Sequence, residues 1–409
     1  MSGVLRKLIN CEFPELFVSY VQPYLPTWLL RLLVWAWMKY CGPLMRSGDV
    51  VVQQINLDRK VRRSRPVTAE VEVTNEQLYA NDPDFFLAHL GPKLKYSACE
   101  FPEGCKSLAE AEELTIAIYQ EKADLASLPA GARVLELGCG WGSLSLTNAA
   151  RYPHLNFVGF SNSPPQIKFI QAKAAERGIK NLSVRVEDYA DFVDPSKSKV
   201  APAGSAPFDA AFAIETVEHA QNIGELLNGA ALRLKPGAKF FVHSLLHQSS
   251  SYLLSPDTWM GRNFYTGGSI LALNSYFHLA PKCLHLADVQ VHECHPPLPC
   301  LLARHTRAPA CASALRILPN CGGVVSARLA KICHCYLAQP VSGTGYMKTS
   351  LAWLEMQEKN KHVFISKYGS EFYEGFRMFY IAVAEAFGAN NGNEFMCGYY
   401  TFVKLDLKE

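Results

Sequence analysis

ARVLELGCGWGSLSL, from Ala132 to Leu146, is the stretch whose reading decides the fold. Val134, Leu135 and Leu137 make a short buried strand, Gly138-Cys139-Gly140-Trp141-Gly142 turns the chain, and Ser143 opens a helix. Glycines here allow positive φ and let backbone approach a ligand closely. A strand, a glycine turn and a helix place a crevice at the carboxyl end of a parallel strand. The spacing is Glu136-x-Gly138-x-Gly140-x-Gly142. It is not the G-x-G-x-x-G of a dinucleotide site with an acid about 20 residues on.

Outward from this turn, the pattern repeats. Asn156–Phe160, Leu182–Val186, Phe208–Ile214 and Lys239–Ser244 read as further strands, with a helix at 164–177. Ser161 and Asn162 end the second strand, Asp188 follows the third and Ile214 ends the fourth. Upstream, Ser107 and Glu110 form a capping box that opens a helix expected to run to Leu128. Strands alternating with helices predict an α/β chain with a doubly wound parallel sheet.

The 409 residues are 49% apolar, enough for a large core, and the net charge of +3 carries no nucleic-acid footprint. Thirteen cysteines show no framework spacing and no secretory leader precedes them, so a reducing, cytoplasmic setting is expected. No stretch reaches 18 uncharged apolar residues; the nearest, residues 24–44, is interrupted by Arg31 and Lys39. A helix expected at Thr27–Tyr40 is apolar around most of its circumference, through Trp28, Leu29, Leu32, Leu33, Trp35 and Trp37. It suits peripheral contact with a membrane surface, packing on the body of the protein, or a homodimer partner. The basic run from Arg59 to Arg65 reads as a solvated face.

The fourth strand leads into Glu215-Thr216-Val217-Glu218-His219. If a helix starts here, Glu215, Glu218 and His219 share one face. Two carboxylates and an imidazole at a crevice mouth suit an amine acceptor, which must lose a proton before its nitrogen can attack. His219 is the expected base, Glu215 and Glu218 the counter-charges. An acid-rich helix start explains one glutamate but not the whole set. His243, inside the apolar fifth strand, and Tyr346, at a later helix start, are weaker candidates for the substrate pocket.

These residues carry a resemblance. Tyr96-Ser97-x-Cys99, Leu135 to Gly142, Asn162-Ser163-x-x-Gln166 and Glu215-x-x-Glu218-His219 resemble the cyclopropane-fatty-acid synthase superfamily. So do Phe264-x-Thr266-Gly267-Gly268 and Tyr346-x-x-Thr349-x-x-x-Trp353. The resemblance looks closest to the coclaurine N-methyltransferase branch. It implies a class I, Rossmann-like methyltransferase fold, with a seven-stranded, mostly parallel sheet, a helical N-terminal arm (1–75), a core (76–245) and a lid with closing strands (246–409). It implies S-adenosyl-L-methionine held by Tyr96, Ser97, Gly138, Asn162, Gln166 and Asp188. The crevice reading adds Glu136, Gly140, Gly142, Ser161 and Ile214. The implied acceptor is a small amine, or an unsaturated lipid in the alternative branch. There a bicarbonate would be held by Glu218, His243 and Tyr346, but the cysteine of that set is replaced by Ala98.

Residues 291–339 break the pattern. They hold Cys294, Cys300, Cys311, Cys321, Cys333 and Cys335 and five prolines, with no sustained period. Paired C-x-x-C spacing is missing, so no metal is expected. The resemblance stops at Gln290 and resumes at Pro340. Val291 has codons beginning GT, and Gln339 has a codon ending AG, as at the edges of an intron. The expectation is a translated intron, or a long disordered loop.

Overall fold

The structure, a computed structural model, describes residues 21–45, 66–68, 82–254, 259–290 and 341–406. Strands β1 (Arg133–Leu137), β2 (Asn156–Ser161), β3 (Leu182–Val186), β4 (Phe208–Ile214) and β5 (Leu234–His247) form where the apolar runs predict them. β6 (Tyr252–Leu253), β7 (Ser269–Ala272), β8 (Leu284–Gln290), β9 (Val341–Ser342) and β10 (Phe395–Lys404) follow. The sheet runs β3-β2-β1-β4-β5-β10-β8, seven strands in line, with β6, β7 and β9 as short additions. β1 to β5 pair in parallel, and β10 lies antiparallel between β5 and β8. β5 is longer than its apolar run suggests because β4, β10 and β7 all hydrogen-bond to it.

Helices α1 (Thr27–Met45), α2 (Pro83–Leu87) and α3 (Leu108–Lys122) precede the glycine turn. α4 (Ser143–Arg151), α5 (Pro164–Glu176), α6 (Tyr189–Val193) and α7 (Ile223–Leu232) connect the parallel strands. α8 (Trp259–Asn263), α9 (Tyr276–Leu279), α10 (Thr344–Lys359), α11 (Lys361–Tyr368) and α12 (Ser370–Gly388) complete the chain. Ser107 caps α3 as expected, accepting from the Glu110 amide at 3.2 Å. The helix stops at Lys122 rather than running to Leu128. Asp124 takes a left-handed conformation (φ 57) and a short 3-10 turn follows at Leu125–Ser127. That conformation cannot continue a right-handed helix.

Side chains alternate across the sheet. Phe240, Val242, Tyr400 and Phe402 pack on one face, whereas Phe212, Phe241 and Tyr399 pack with Ile116 and Tyr119 of α3 on the other. α1 lies along α12. Leu30 and Val34 are buried there, and Arg31 pairs with Glu385 at 2.6 Å. Arg377 of α12 reaches back to the Leu25 carbonyl and the Thr27 hydroxyl, at 2.9 and 2.8 Å. The opposite side of α1 is exposed: Trp28 is 68% accessible, and Leu32, Trp35 and Tyr40 are also exposed. No described helix is long and apolar enough to cross a membrane. Residues 1–20, the basic run at 59–65 and the whole of 291–339, with its cysteines and the intron reading, lie outside the described residues.

The two flanks of that last segment both pair with β10. Gln290 stands opposite Tyr399, Val341 opposite Cys397 and Ser342 opposite Met396.

Candidate active site

The carboxyl ends of β1 to β4 open into one cleft. At the end of β1 the glycine turn uses left-handed backbone: φ is 69° at Gly138, 50° at Gly140 and 82° at Gly142. A Cβ on Gly138 would stand 2.1 Å from the Thr216 hydroxyl oxygen, so β4 requires glycine there. A Cβ on Gly140 meets nothing within 4 Å, because that position faces the open cleft. Gly142 does not line the cleft. It precedes α4 and packs toward Ile170, 2.8 Å from where its Cβ would sit. Its job in the sequence reading, touching the cofactor, passes to packing the turn. Glu136 lies beneath, with the Ser145 hydroxyl donating to it, and burial pushes its carboxyl up to about 7.

The neighbouring strand ends supply neutral polar groups. Ser161 donates to Gln166 Oε1 at 2.7 Å and accepts from the Ser163 amide at 3.2 Å. Asn162 and Ile214 are in the cleft wall. Asp188 caps α6, its Oδ1 accepting from Ala190 N at 2.7 Å and from the Thr68 hydroxyl at 2.6 Å. Its Oδ2, Gln166 Nε2, Ser143 Oγ and Trp141 Nε1 are buried with no hydrogen-bond partner among the described residues. All four residues line the cleft. Buried polar atoms are normally satisfied, so this orphaned set fits a polar ligand carrying both donors and acceptors. Tyr96 and Ser97 close the same wall from the loop after α2.

Across the cleft stand the acids. Glu215 directly follows β4 at φ 46, a strained angle for a residue with a side chain. Its amide donates to the His243 carbonyl at 2.8 Å, and its Oε1 accepts from Ala98 N at 2.8 Å and lies 3.3 Å from His243 Nε2. Burial pushes its carboxyl up to about 8, and the Lys95 ammonium opposes that rise. The expected shared helix face does not form. Glu215 breaks the chain direction, and Val217–His219 is a single 3-10 turn. Glu215 and His219 line the cleft, but Glu218 turns to the sheet. There its Oε1 accepts from Ser244 Oγ at 2.6 Å and Leu245 N at 2.5 Å, and burial pushes it up to about 7. His219 stacks on Tyr265 at 4.5 Å, and burial pulls its imidazole down to about 4.

His243 and Tyr346 do not line the cleft. His243 Nδ1 pairs with the Tyr119 hydroxyl at 2.7 Å, and Tyr346 packs on Phe387 and Trp353. His243 and Ser244 are consecutive in β5, so they leave opposite faces. Glu218 Oε1 goes to Ser244, which leaves Glu218 Oε2 and His243 Nε2 buried without a hydrogen-bond partner among the described residues. Among the described residues, no lid residue from 246–406 lines the cleft either. The lid reaches it indirectly, through Tyr265 on His219 and Thr349 Oγ1, which accepts from Cys99 N at 3.0 Å. The lid aromatics Trp259, Phe264, Trp353, Phe376, Phe379 and Tyr380 are buried against one another.

Lys95, Tyr119 and Glu187 also line the cleft, and sequence reasoning passes over them. Lys95 is only 3% exposed. The signal available was a lysine directly before the Tyr96-Ser97 pair. Glu215, His243 and Cys397 bring one ligand atom each within 4.8 Å of one another, the single such grouping among the described residues. The adjacent Lys95 charge opposes a cation there, so no metal is assigned.

A parallel sheet with a reversed penultimate strand, and a cleft at its glycine turn, define an α/β fold of the methyltransferase type. The mycolic acid cyclopropane synthetase family matches residues 68–293, more than half of the chain, and the chain belongs to that family. It is similar to an (S)-coclaurine N-methyltransferase of Thalictrum flavum subsp. glaucum, 27% identical over 56% of this chain and 61% of the relative. It is also similar to the cyclopropane-fatty-acyl-phospholipid synthase of Escherichia coli strain K12, 25% identical over 48% and 47%. The matches thus span less than two thirds of these relatives. A crystal structure of coclaurine N-methyltransferase bound to N-methylheliamine and SAH aligns over 98% of this chain and all of that one. Its TM-score is 0.73 and its identity 20%, which speaks for the fold.

Proposed function

We propose that this chain is an S-adenosylmethionine-dependent methyltransferase that methylates the nitrogen of a small aromatic amine. The observation that carries this is the buried carboxyl of Glu215 in the same cleft as the glycine turn. The orphaned polar atoms of Trp141, Ser143, Gln166 and Asp188, with the open space at Gly140, fit the cofactor's polar groups. When bound, S-adenosylmethionine supplies a methyl group on a sulfonium. Glu215 binds the acceptor ammonium, and the carboxyl is the group to which the nitrogen's proton passes. A pKa near 8 matches that task at neutral pH better than an imidazole pulled to about 4. His219, stacked on Tyr265, orients the acceptor. Glu218 fixes the turn that carries both. The nitrogen lone pair then forms the new C–N bond as the sulfonium carbon–sulfur bond breaks.

Two features support a wider setting. The exposed aromatics of α1 suit a membrane surface, with Lys39 lying over the Trp35 ring at 4.3 Å. Cys99, Cys105, Cys139, Cys283 and Cys397 are free thiols, which supports a reducing, cytoplasmic setting. The test incubates methyl-labelled S-adenosylmethionine with benzylic amines and, separately, with unsaturated phospholipid vesicles. Label in the amine is expected. Label in the acyl chains alone would transfer the chain to the lipid-modifying branch, and label in neither would overturn both.

A further inference from the structure

A buried ammonium is tolerated only with partners, and those of Lys95 lie in the next turn of chain. Its Nζ donates to Ser97 Oγ at 2.7 Å and to the Ala98 carbonyl at 2.5 Å. The Ala98 amide donates in turn to Glu215 Oε1 at 2.8 Å. One peptide loop therefore takes the cation on its carbonyl and the carboxylate on its amide, and Lys95 and Glu215 both line the cleft. We propose that Lys95 is a positioning residue that holds the 96–98 loop on Glu215 and supplies the positive charge facing this buried carboxyl.

The groups around Glu215 leave that role to Lys95. Tyr119 faces it from α3, Glu218 from the 3-10 turn, His243 from β5, Cys99 from the loop and Cys397 from β10. Burial and the Lys95 charge keep His243 neutral. Burial holds both thiols protonated, Cys99 at about 12. Among the described neighbours, Lys95 is the one positive charge. The consequence for turnover rests on the amine-methylating reading; the electrostatic role does not.

The test is a pH titration of the cofactor-free protein by infrared difference spectroscopy. The Glu215 carboxyl band is identified by its loss in Glu215→Gln. A wild-type midpoint near 8 is expected, moving up by a pH unit or more in Lys95→Met and staying in Lys95→Arg. Lys95→Gln, which keeps a donor without the charge, gives the same upward shift and serves if Lys95→Met does not fold. An unchanged midpoint in the uncharged variants overturns the proposal. So does a wild-type midpoint in the ordinary glutamate range, about 4.3. If the shift appears but no amine is methylated, the electrostatic role stands and the proposed function falls.

A second inference rests on strand register. Gln290 faces Tyr399 and Val341 faces Cys397, so β10 leaves one position, Gly398, between β8 and β9. A chain joining Gln290 to Pro340 has one residue, Pro340, to occupy it. The joined strand then continues in unbroken register to Ser342 opposite Met396. β8 ends the order of the main sheet, and an edge strand is where a sheet accepts a proline. We infer that residues 291–339 are not required by the fold and that the working enzyme is the joined chain. The full chain and one deleted for 291–339 are compared by thermal melting and by calorimetric binding of S-adenosylmethionine. A joined chain that melts no lower and binds equally tightly is expected. One that fails to fold, or loses binding that the full chain retains, overturns the inference.

Discussion

On its glycine-turn side the cleft is walled by backbone, hydroxyls, amides and the carboxyl groups of Glu136 and Asp188, whereas across from it Glu215 and His219, a carboxyl and an imidazole, are buried together. The first side leaves polar atoms without protein partners. On the second, Glu215 Oε1 and Glu218 Oε1 are each held by a backbone amide, and Glu218 Oε2 and His243 Nε2 are left without a partner among the described residues. A wall with spare hydrogen bonds is suited to holding a ligand in place. A wall of buried acids, with carboxyls raised toward neutral pH, is suited to moving a proton. On the proposed function, one cleft separates binding from chemistry: the ends of β1 to β3 bind, and the turn after β4 reacts.

The change expected to strain this division most is Glu215→Gln. It keeps the shape and removes the proton acceptor, so amine turnover should fall about 10²–10⁴-fold with cofactor affinity near that of the wild type. Calorimetry and initial rates on the same preparation check it; a parallel loss of cofactor affinity would mean the two sides are not separate. Gly140→Val probes the other wall. A Cβ there meets nothing within 4 Å in the free protein, but a φ of 50° strains any side chain, so cofactor affinity should drop about 100-fold, close to 2.7 kcal/mol, with thermal melting reading the separate cost to the turn. Unchanged affinity would remove the turn from the site.

His219→Ala should cost less, about tenfold in turnover, or ~1.4 kcal/mol, because a neutral imidazole at about 4 orients rather than accepts. A loss as large as that of Glu215→Gln would restore His219 as the base.

The last effect is on stability and its pH dependence. Glu136, Glu215 and Glu218 have raised carboxyl pKa values in the fold. Between about pH 4.3, where an unfolded glutamate ionises, and pH 7 to 8, the folded chain keeps protons that the unfolded chain releases. Stability therefore falls as pH rises through that window. His89 and His219 act oppositely. Their folded values near 4 mean that stability is lost as pH falls below about 6.5. Glu215→Gln should flatten the decline between pH 5 and 8, by no more than ~1.4 kcal/mol per pH unit. Denaturant melts across that range measure it, and an unaltered slope would place Glu215 in solvent rather than in the buried wall.

The strands were legible because their apolar runs are bounded by turn residues, and β3 and β4 begin and end where those runs do. The cleft was legible too, since glycine spacing and polar residues at strand ends are local in sequence. Three positions were not. The reading to Leu128 failed because nothing in the α3 sequence announces that Asp124 turns left-handed. The helical spacing of Glu215, Glu218 and His219 misled because β4 is followed by a strained residue that sends Glu218 to Ser244. Lys95 was invisible because its partners and the carboxyl it serves come together only when β4 is laid beside β1 and the loop folds across them.

The sequence by itself determined the order of strands and helices, the glycine turn and the presence of acids beyond β4, because each depends on neighbours within a few residues. The tertiary structure decided which acid faces the cleft, which charge stands beside it and that Gln290 and Val341 meet along β10. Those outcomes depend on burial, on the alternation of side chains across β5 and on pairing between segments more than 50 residues apart, for which local spacing carries no information.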